Sequence, residues 1–216
     1  VEPSNRIAMG FIGLGIQGTG LLRAFMAHED VQVVSVCDVY ERQRQKAKGL
    51  VDKHYGNADC LAYNDFREVC HRNDIDAVCI ATPDHWHVPV SLEAARAGKD
   101  MYTEKALGLS LAWDKALQAA CHRSGTVFQW GTQQRSDRNF RYGCELVRNG
   151  RIGKLHTILV GVPHDFPFPN QPTQEVPKGF DYDMWLGPAP WVPYTYQRCR
   201  PWTKEESYSI WYHISD

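Results

Sequence analysis

A chain of 216 residues with 43% apolar side chains and a net charge of −1 has the apolar content for a packed core and is too apolar for disorder. Its 24 Lys and Arg are scattered rather than clustered, which argues against nucleic acid or an anionic membrane as partner. The longest apolar runs, VQVVSVC and TILVGVP, are too short to span a bilayer.

Seven cysteines include no C-x-x-C pair, so neither a disulfide scaffold nor a zinc ribbon is indicated and reduced thiols in a cytoplasmic setting are expected. Because the chain starts at Val1, a periplasmic location after removal of an export leader is the alternative.

In chain order, RIAMGFI reads as the first strand, brief and apolar as strands buried on both faces are. Leu21, Leu22, Phe25 and Met26 then recur at helical spacing. VQVVSVC is the second strand and DAVCIAT the third, followed by a helix over VPVSLEAARAG that stops at Gly98. DMYTEK is a fourth strand. Ser110 is a good N-cap for the helix SLAWDKALQAACHRSG, which ends at Gly125, and TVFQWG is a fifth strand. Such alternation predicts an α/β fold with a parallel, doubly wound sheet.

Beyond about residue 131 the texture changes. A capped helix, SDRNFRYGCELVRNG, leads into an alternating strand, KLHTILVGV, and from Pro163 prolines and aromatics dominate. We place a domain boundary there: residues 1–131 form the first domain, and residues 132–216 the start of an α+β second domain.

The loop between the first strand and helix carries Gly13-x-Gly15-x-x-Gly18. Gly13 permits a tight turn, Gly15 lets the backbone approach a pyrophosphate, and Gly18 allows close helix–strand packing. The helix N-terminus, with Ile16 and Gln17, supplies N–H groups to the phosphate charge. Asp38 ends the second strand, twenty residues past Gly18, where a carboxylate accepts hydrogen bonds from an adenosine ribose. This is the dinucleotide fingerprint of a Rossmann fold. A carboxylate at that place repels a 2′-phosphate, so NAD is expected rather than NADP, although Arg42 and Arg44 follow closely.

Ligands of an open α/β sheet sit beyond the carboxyl ends of the strands. Thr82, Pro83, His85 and His87 follow the third strand and are expected to line the cofactor cleft; the alternative, a metal pair of His85 and His87, lacks accompanying carboxylates or thiolates. Glu104 and Lys105 follow the fourth strand at the same edge. Successive strand side chains face opposite ways, so the two share one site only if the backbone breaks there. Lys105 reads either as a salt-bridge residue or, desolvated in the cleft, as an acid/base.

GFIGLGIQG, CDVYERQRQKA, ATPDHWHVPVSLEAARAGKDMYTEKALGLS and WGTQQRS, in this order, resemble the glucose–fructose oxidoreductase, inositol dehydrogenase and MocA family. The resemblance implies an NAD-dependent sugar or polyol dehydrogenase, commonly a homo-oligomer. It makes Lys105 the lysine of the family's Glu-Lys-Pro motif, assisting proton transfer, with Glu104 near the nicotinamide ribose. Thr82, Pro83 and His87 match the family's Thr-Pro-x-x-x-His segment. Gln133 and Arg135 fall where the chain enters the substrate domain.

Ala106 stands where the motif has proline, leaving that backbone less constrained. The family's Asp-x-x-x-His pair does not occur here, and a chain truncated in its second domain is the expected reason.

The aromatic tail, including Trp185, is suited to stacking on a sugar and equally to packing; WLGPAPW resembles a segment of sugar-active members. Relatives that use NAD transiently to cleave glycosidic bonds supply a second reading, and a non-catalytic NAD-binding fragment a third.

Overall fold

The computed structural model describes residues 5–161 and 170–199. The chain divides into two compact units: residues 131–169 form one, and the remainder forms the other.

In the first unit, β1 (Ile7–Ile12), α1 (Ile16–Met26), β2 (Val31–Cys37), α2 (Glu41–Tyr55), β3 (Leu61–Tyr63), α3 (Phe66–Cys70), β4 (Ala77–Ile80), α4 (Asp84–Arg96), β5 (Asp100–Glu104), α5 (Leu111–Ser124) and β6 (Phe128–Gly131) follow one another. The six strands are ordered β3-β2-β1-β4-β5-β6, with β1 parallel to β2 and β4, β2 to β3, and β4 to β5. This is the doubly wound order whose chain reversal beside β1 opens a crevice at the strand ends.

Both sheet faces are buried, which is why the strands read as continuous apolar runs. Met9, Phe11, Val33 and Val36 pack with Leu22 and Met26 of α1 and Val51 of α2. Val78, Ile80 and Met101 pack with Val69 of α3, Val90 and Ala94 of α4 and Ala120 of α5. Alternate residues of β4 thus serve opposite cores, as the period of two requires. Each fully buried side chain of the Leu22 or Phe11 kind contributes about 1.5–3 kcal/mol.

The expected elements form, with additions. The polar helix α2, the three-residue β3 and the one-turn α3 lack a long apolar run to announce them. Helix α4 starts at Asp84, before the expected VPVSLEAARAG, and continues through Pro89. Proline forfeits one backbone hydrogen bond, but Val88, Val90, Ser91, Ala94 and Ala95 are all buried and hold the helix together. Ser110 caps α5 by accepting from Trp113 N at 3.3 Å, and Gly125 ends it at φ +70°.

Residues 170–199 contain α7 (Tyr182–Leu186) and α8 (Tyr196–Cys199). Tyr182, Leu186 and Tyr194 form a small core with Phe180 and Trp185 beside it. Trp202, Trp211 and His213 of the aromatic tail lie outside the described residues.

The second unit holds a 3-10 turn (Gln133–Arg135) and α6 (Arg138–Arg148), capped by Asp137, whose carboxylate accepts from Asn139 N and Phe140 N. Residues 155–161, expected as a strand, pair with no strand among the described residues. An extended segment becomes a strand only with a ladder partner, and Ile158, Leu159 and Val160 are exposed. Among the described residues, no helix is long and apolar enough to cross a membrane.

Candidate dinucleotide site

A cavity of about 400 Å³ lies at the strand ends of the first unit. Its base is the turn after β1. Gly13 has φ +84°, and a Cβ there would lie 2.6 Å from the backbone of Ala81 and Thr82, because parallel β1 and β4 end side by side. A Cβ on Gly18 would run into the carbonyl oxygen of Gly13, so this glycine brings α1 against the turn. A Cβ on Gly15, by contrast, would meet nothing within 4 Å: its free face opens on the cavity.

Gly15 is also the N-cap of α1, with no side-chain cap and no acidic residue in the first turn. The first N–H groups of a helix lack intrahelical partners, and an uncapped N-terminus beside a cavity suits an anion.

Asp38 closes β2. Its Oδ2 accepts from Leu14 N at 2.7 Å and its Oδ1 from Tyr40 N at 2.8 Å, joining the glycine turn to the start of α2. Burial pushes its carboxyl above the ordinary carboxylate value, against the opposing pull of Tyr40 N–H, Leu14 N–H and Arg44. Arg44 donates to the Asp38 carbonyl at 3.2 Å and to Asn64 Oδ1 at 3.1 Å, so its guanidinium is committed to the fold.

After β4, Thr82 and Pro83 line the cavity. The Thr82 hydroxyl is buried with no hydrogen-bond partner from the protein. His87 also lines the cavity, its Nε2 2.8 Å from Thr82 O and its Nδ1 against Ala106 O; the ring ties the end of β4 to the segment after β5. His85 is buried away from the cavity, with Nε2 2.9 Å from Trp185 O. The two histidines are thus engaged separately. Among the described residues, no three His, Cys, Asp or Glu side chains gather as a metal site.

Glu104 ends β5 and is only 3% exposed. It accepts from Gln17 Nε2 at 2.8 Å and from Lys105 N at 3.1 Å, linking β5 to the first turn of α1. Lys105 stands beyond the strand, so strand alternation does not separate it from Glu104, and both line the cavity. The Lys105–Ala106 peptide bond is cis. Lys105 is exposed at the cavity, not withdrawn from water as a desolvated acid/base would be.

Gly13, Gly15, Ile16, Gln17, Asp38, Thr82, Pro83, His87, Glu104, Lys105 and Trp185 therefore share one cavity, while Gly18 and His85 stand behind its wall. Gln133 and Arg135 belong to the second unit. Sequence reasoning missed Tyr40, Asn64, Phe180 and Met184, which also line the cavity; the aromatic density of FDYDMW was the one signal for Phe180 and Met184. The open Gly15 face, the unsatisfied Thr82 hydroxyl and the Asp38 carboxylate fit a dinucleotide.

All seven cysteines are free thiols. Burial pushes Cys37 and Cys79 far up, and Cys60, Cys70 and Cys199 to about 12. These five have little thiolate to react with at neutral pH.

Comparison with known proteins agrees with this geometry. Residues 7–132 match the family model described as an oxidoreductase family with an NAD-binding Rossmann fold. Residues 168–205 match that family's C-terminal alpha/beta domain. The chain is 28% identical over 159 residues to the uncharacterized oxidoreductase YrbE of Bacillus subtilis, covering 73% of this chain and 44% of that protein. It is 28% identical over 203 residues to a glycosyl hydrolase family 109 protein of Stenotrophomonas maltophilia, covering 86% of this chain and 42% of the relative.

Among solved structures, scyllo-inositol dehydrogenase of Lactobacillus casei with bound NAD(H) and scyllo-inositol superposes with a TM-score of 0.61 at 27% identity, over 68% of this chain and 42% of that one. The chain thus spans less than half the length of these relatives. It belongs to the glucose–fructose oxidoreductase, inositol dehydrogenase and MocA family, and its residues 7–132 are that family's NAD-binding Rossmann fold.

Proposed function

We propose that the whole protein is an NAD-dependent oxidoreductase that moves a hydride between nicotinamide and a hydroxyl-bearing ring carbon of a sugar or polyol, with Lys105 handling the hydroxyl proton. One observation carries the reading: Gly15, Asp38 and Lys105 line a single cavity. Nicotinamide bound there would supply the hydride acceptor or donor that no side chain offers.

The first turn of α1 and the Gly15 backbone would hold the pyrophosphate, and Asp38 would accept from the adenosine ribose hydroxyls. Thr82 Oγ1 would find its missing partner on the cofactor, and Glu104, braced by Gln17, would accept from the nicotinamide ribose. In the oxidising direction bound substrate would withdraw Lys105 from water and favour its neutral amine, which would then take the substrate hydroxyl proton as the C–H bond breaks. A substrate covering the exposed lysine excludes water there and strengthens its pull on the oxygen. The substrate domain would carry the further sugar contacts, with Gln133 and Arg135 proposed among them, and the complete protein is a homo-oligomer.

The test is hydride transfer in the complete protein with inositols and pyranoses, followed by nicotinamide absorbance. Lys105→Met should lower turnover about 10²–10⁴-fold, the usual worth of a positioned acid/base, with NAD affinity retained. Wild-type turnover in this variant would remove Lys105 from the chemistry.

A second reading, transient oxidation by a recycled NAD during glycosidic cleavage, is supported by the 28% identity to a glycosyl hydrolase family 109 protein over 86% of this chain. Release of aglycone from an aryl glycoside without net nicotinamide reduction would favour it; stoichiometric reduction would favour the dehydrogenase.

A further inference from the structure

Asp38 locates the adenosine ribose, and the cavity continues past it. That end is not built from glycine and polar side chains. Its surfaces are Tyr40, Phe180, Met184 and Trp185, with the amides of Gln43 and Asn64 at their margin. Phe180, Met184 and Trp185 are each half-buried, so each has a supported side and a side left open.

The supports are specific. Glu41 N donates to Gly179 O at 2.8 Å and Asp181 N to Val39 O at 3.0 Å, which pairs Phe180 with Tyr40 as a short antiparallel bridge. Asn64 Nδ2 donates to Asp181 Oδ2 at 2.8 Å, and Trp86 Nε1 donates to Met184 O at 2.8 Å. Residues 179–185 are therefore fastened to the start of α2, to the chain just past β3 and to α4, three places that each line the cavity alongside Asp38, through Tyr40, Asn64 and Trp86. The rings are braced as well. Phe180 lies 5.2 Å from Tyr40, and Trp185 lies 5.7 Å from His85 and is stacked on Tyr182 at 6.0 Å and 19°. Rigid aromatic faces held open toward a cavity are a stacking platform for a flat heteroaromatic ring.

Charge sharpens the identity of that ring. Lys105, just past β5, is the one cation among the described lining residues. Among the described residues, the lining at the Asp38 end carries a carboxylate and no cation, and the neighbouring Arg44 is already engaged with Asp38 O and Asn64 Oδ1, so the platform suits the unphosphorylated adenosine of NAD.

We propose that Phe180, Met184 and Trp185 hold the adenine ring of the dinucleotide, so that residues 170–199 are part of the cofactor site. This rests on the reading of the cavity as a dinucleotide site. It gives Trp185, read from the sequence as a substrate contact, to the cofactor. It also means that the segment matched by the C-terminal family model closes the site that the N-terminal one begins.

The experiment is calorimetric titration of the full chain with ADP-ribose, NAD and nicotinamide mononucleotide. Phe180→Ala and Trp185→Ala should each weaken ADP-ribose and NAD about tenfold, the scale of one lost base–aromatic stack. Affinity for nicotinamide mononucleotide, which has no adenine, should stay within about twofold. Trp185→Phe set against Trp185→Leu guards against a folding artefact: phenylalanine should keep most of the affinity and leucine should lose it, at equal near-ultraviolet circular dichroism. Variants that bind ADP-ribose as the wild type does would overturn the aromatic platform alone. A wild type that binds neither ADP-ribose nor NAD would overturn the dinucleotide reading beneath it.

Discussion

The two walls of the cavity are built on different principles. One comes from the ends of β1, β2, β4 and β5, and it works through backbone and hydrogen bonds: Leu14 N on Asp38, Gln17 on Glu104, His87 between two carbonyls. The other comes from residues 179–185, more than a hundred positions away from the glycine turn, and it works through aromatic area. The first wall is fixed by the sheet, since parallel strands bring their ends to one edge whatever loops follow. The second is fixed by side-chain and backbone bonds to α2, α4 and Asn64. A position in the polar wall is therefore sensitive to geometry at the scale of a single methyl group, and a position in the aromatic wall to area.

Lys105→Met is the most severe test of the polar wall, because its loss of turnover should come with unchanged NAD affinity; a parallel loss of NAD binding would make Lys105 a cofactor residue instead.

Gly18→Ala follows. Its methyl must displace the Gly13 carbonyl, so unfolding in urea should report a loss of about 3 kcal/mol, the upper range for overpacking. Gly15→Ala should fold normally, having open space for the methyl, and lose NAD affinity because that space is the ligand's. If both variants fold equally well, the distinction between the two glycines is wrong.

Asp38→Asn comes third, with NAD and ADP-ribose weakened about tenfold, as for the loss of a charge-assisted hydrogen bond. An amide must also turn its NH₂ toward one of two backbone N–H groups. The pH dependence has a definite sign. Burial raises the Asp38 carboxyl above its ordinary value of 3.8, so the free protein carries an unfavourable buried charge above that raised value. This cost fades as pH falls through it. Ribose hydroxyls donate to the carboxylate, so NAD affinity should be flat at higher pH and fall as Asp38 protonates, beginning above pH 3.8. Asp38→Asn should lack that fall.

The smallest effect tests the aromatic wall's own support. Tyr182 donates to Val192 O at 3.0 Å, and burial pushes its phenol up to about 12. Tyr182→Phe should cost about 1 kcal/mol in thermal unfolding of the first unit and leave Trp185, stacked on the same ring, in place.

Much of the fold was legible because its signals are local. Short apolar runs, the Ser110 and Gly125 caps, and the G-x-G-x-x-G turn each act within a few residues. Helix α2, β3 and α3 were missed for the converse reason: β3 and α3 are too short to carry a period, and α2 buries only Ala47 and Val51. In the candidate site, Gly13, Gly15 and Asp38 were legible from spacing, and Lys105 from the edge it shares with them. His85 misled because helix geometry, invisible at i, i+2, turns it away from the cavity that His87 lines. Phe180 and Met184 carried no spacing signal relative to the glycine turn.

By itself, the sequence determined the doubly wound sheet, the dinucleotide turn and the acid that answers it, since each follows from short-range sterics and from burial on both faces of a strand. Only the tertiary structure decided that Glu104 and Lys105 share one cavity, that Lys105 stands exposed in it, and that residues 170–199 supply its aromatic wall. Those facts depend on contacts between segments far apart in the chain, and no local period or spacing encodes such a contact.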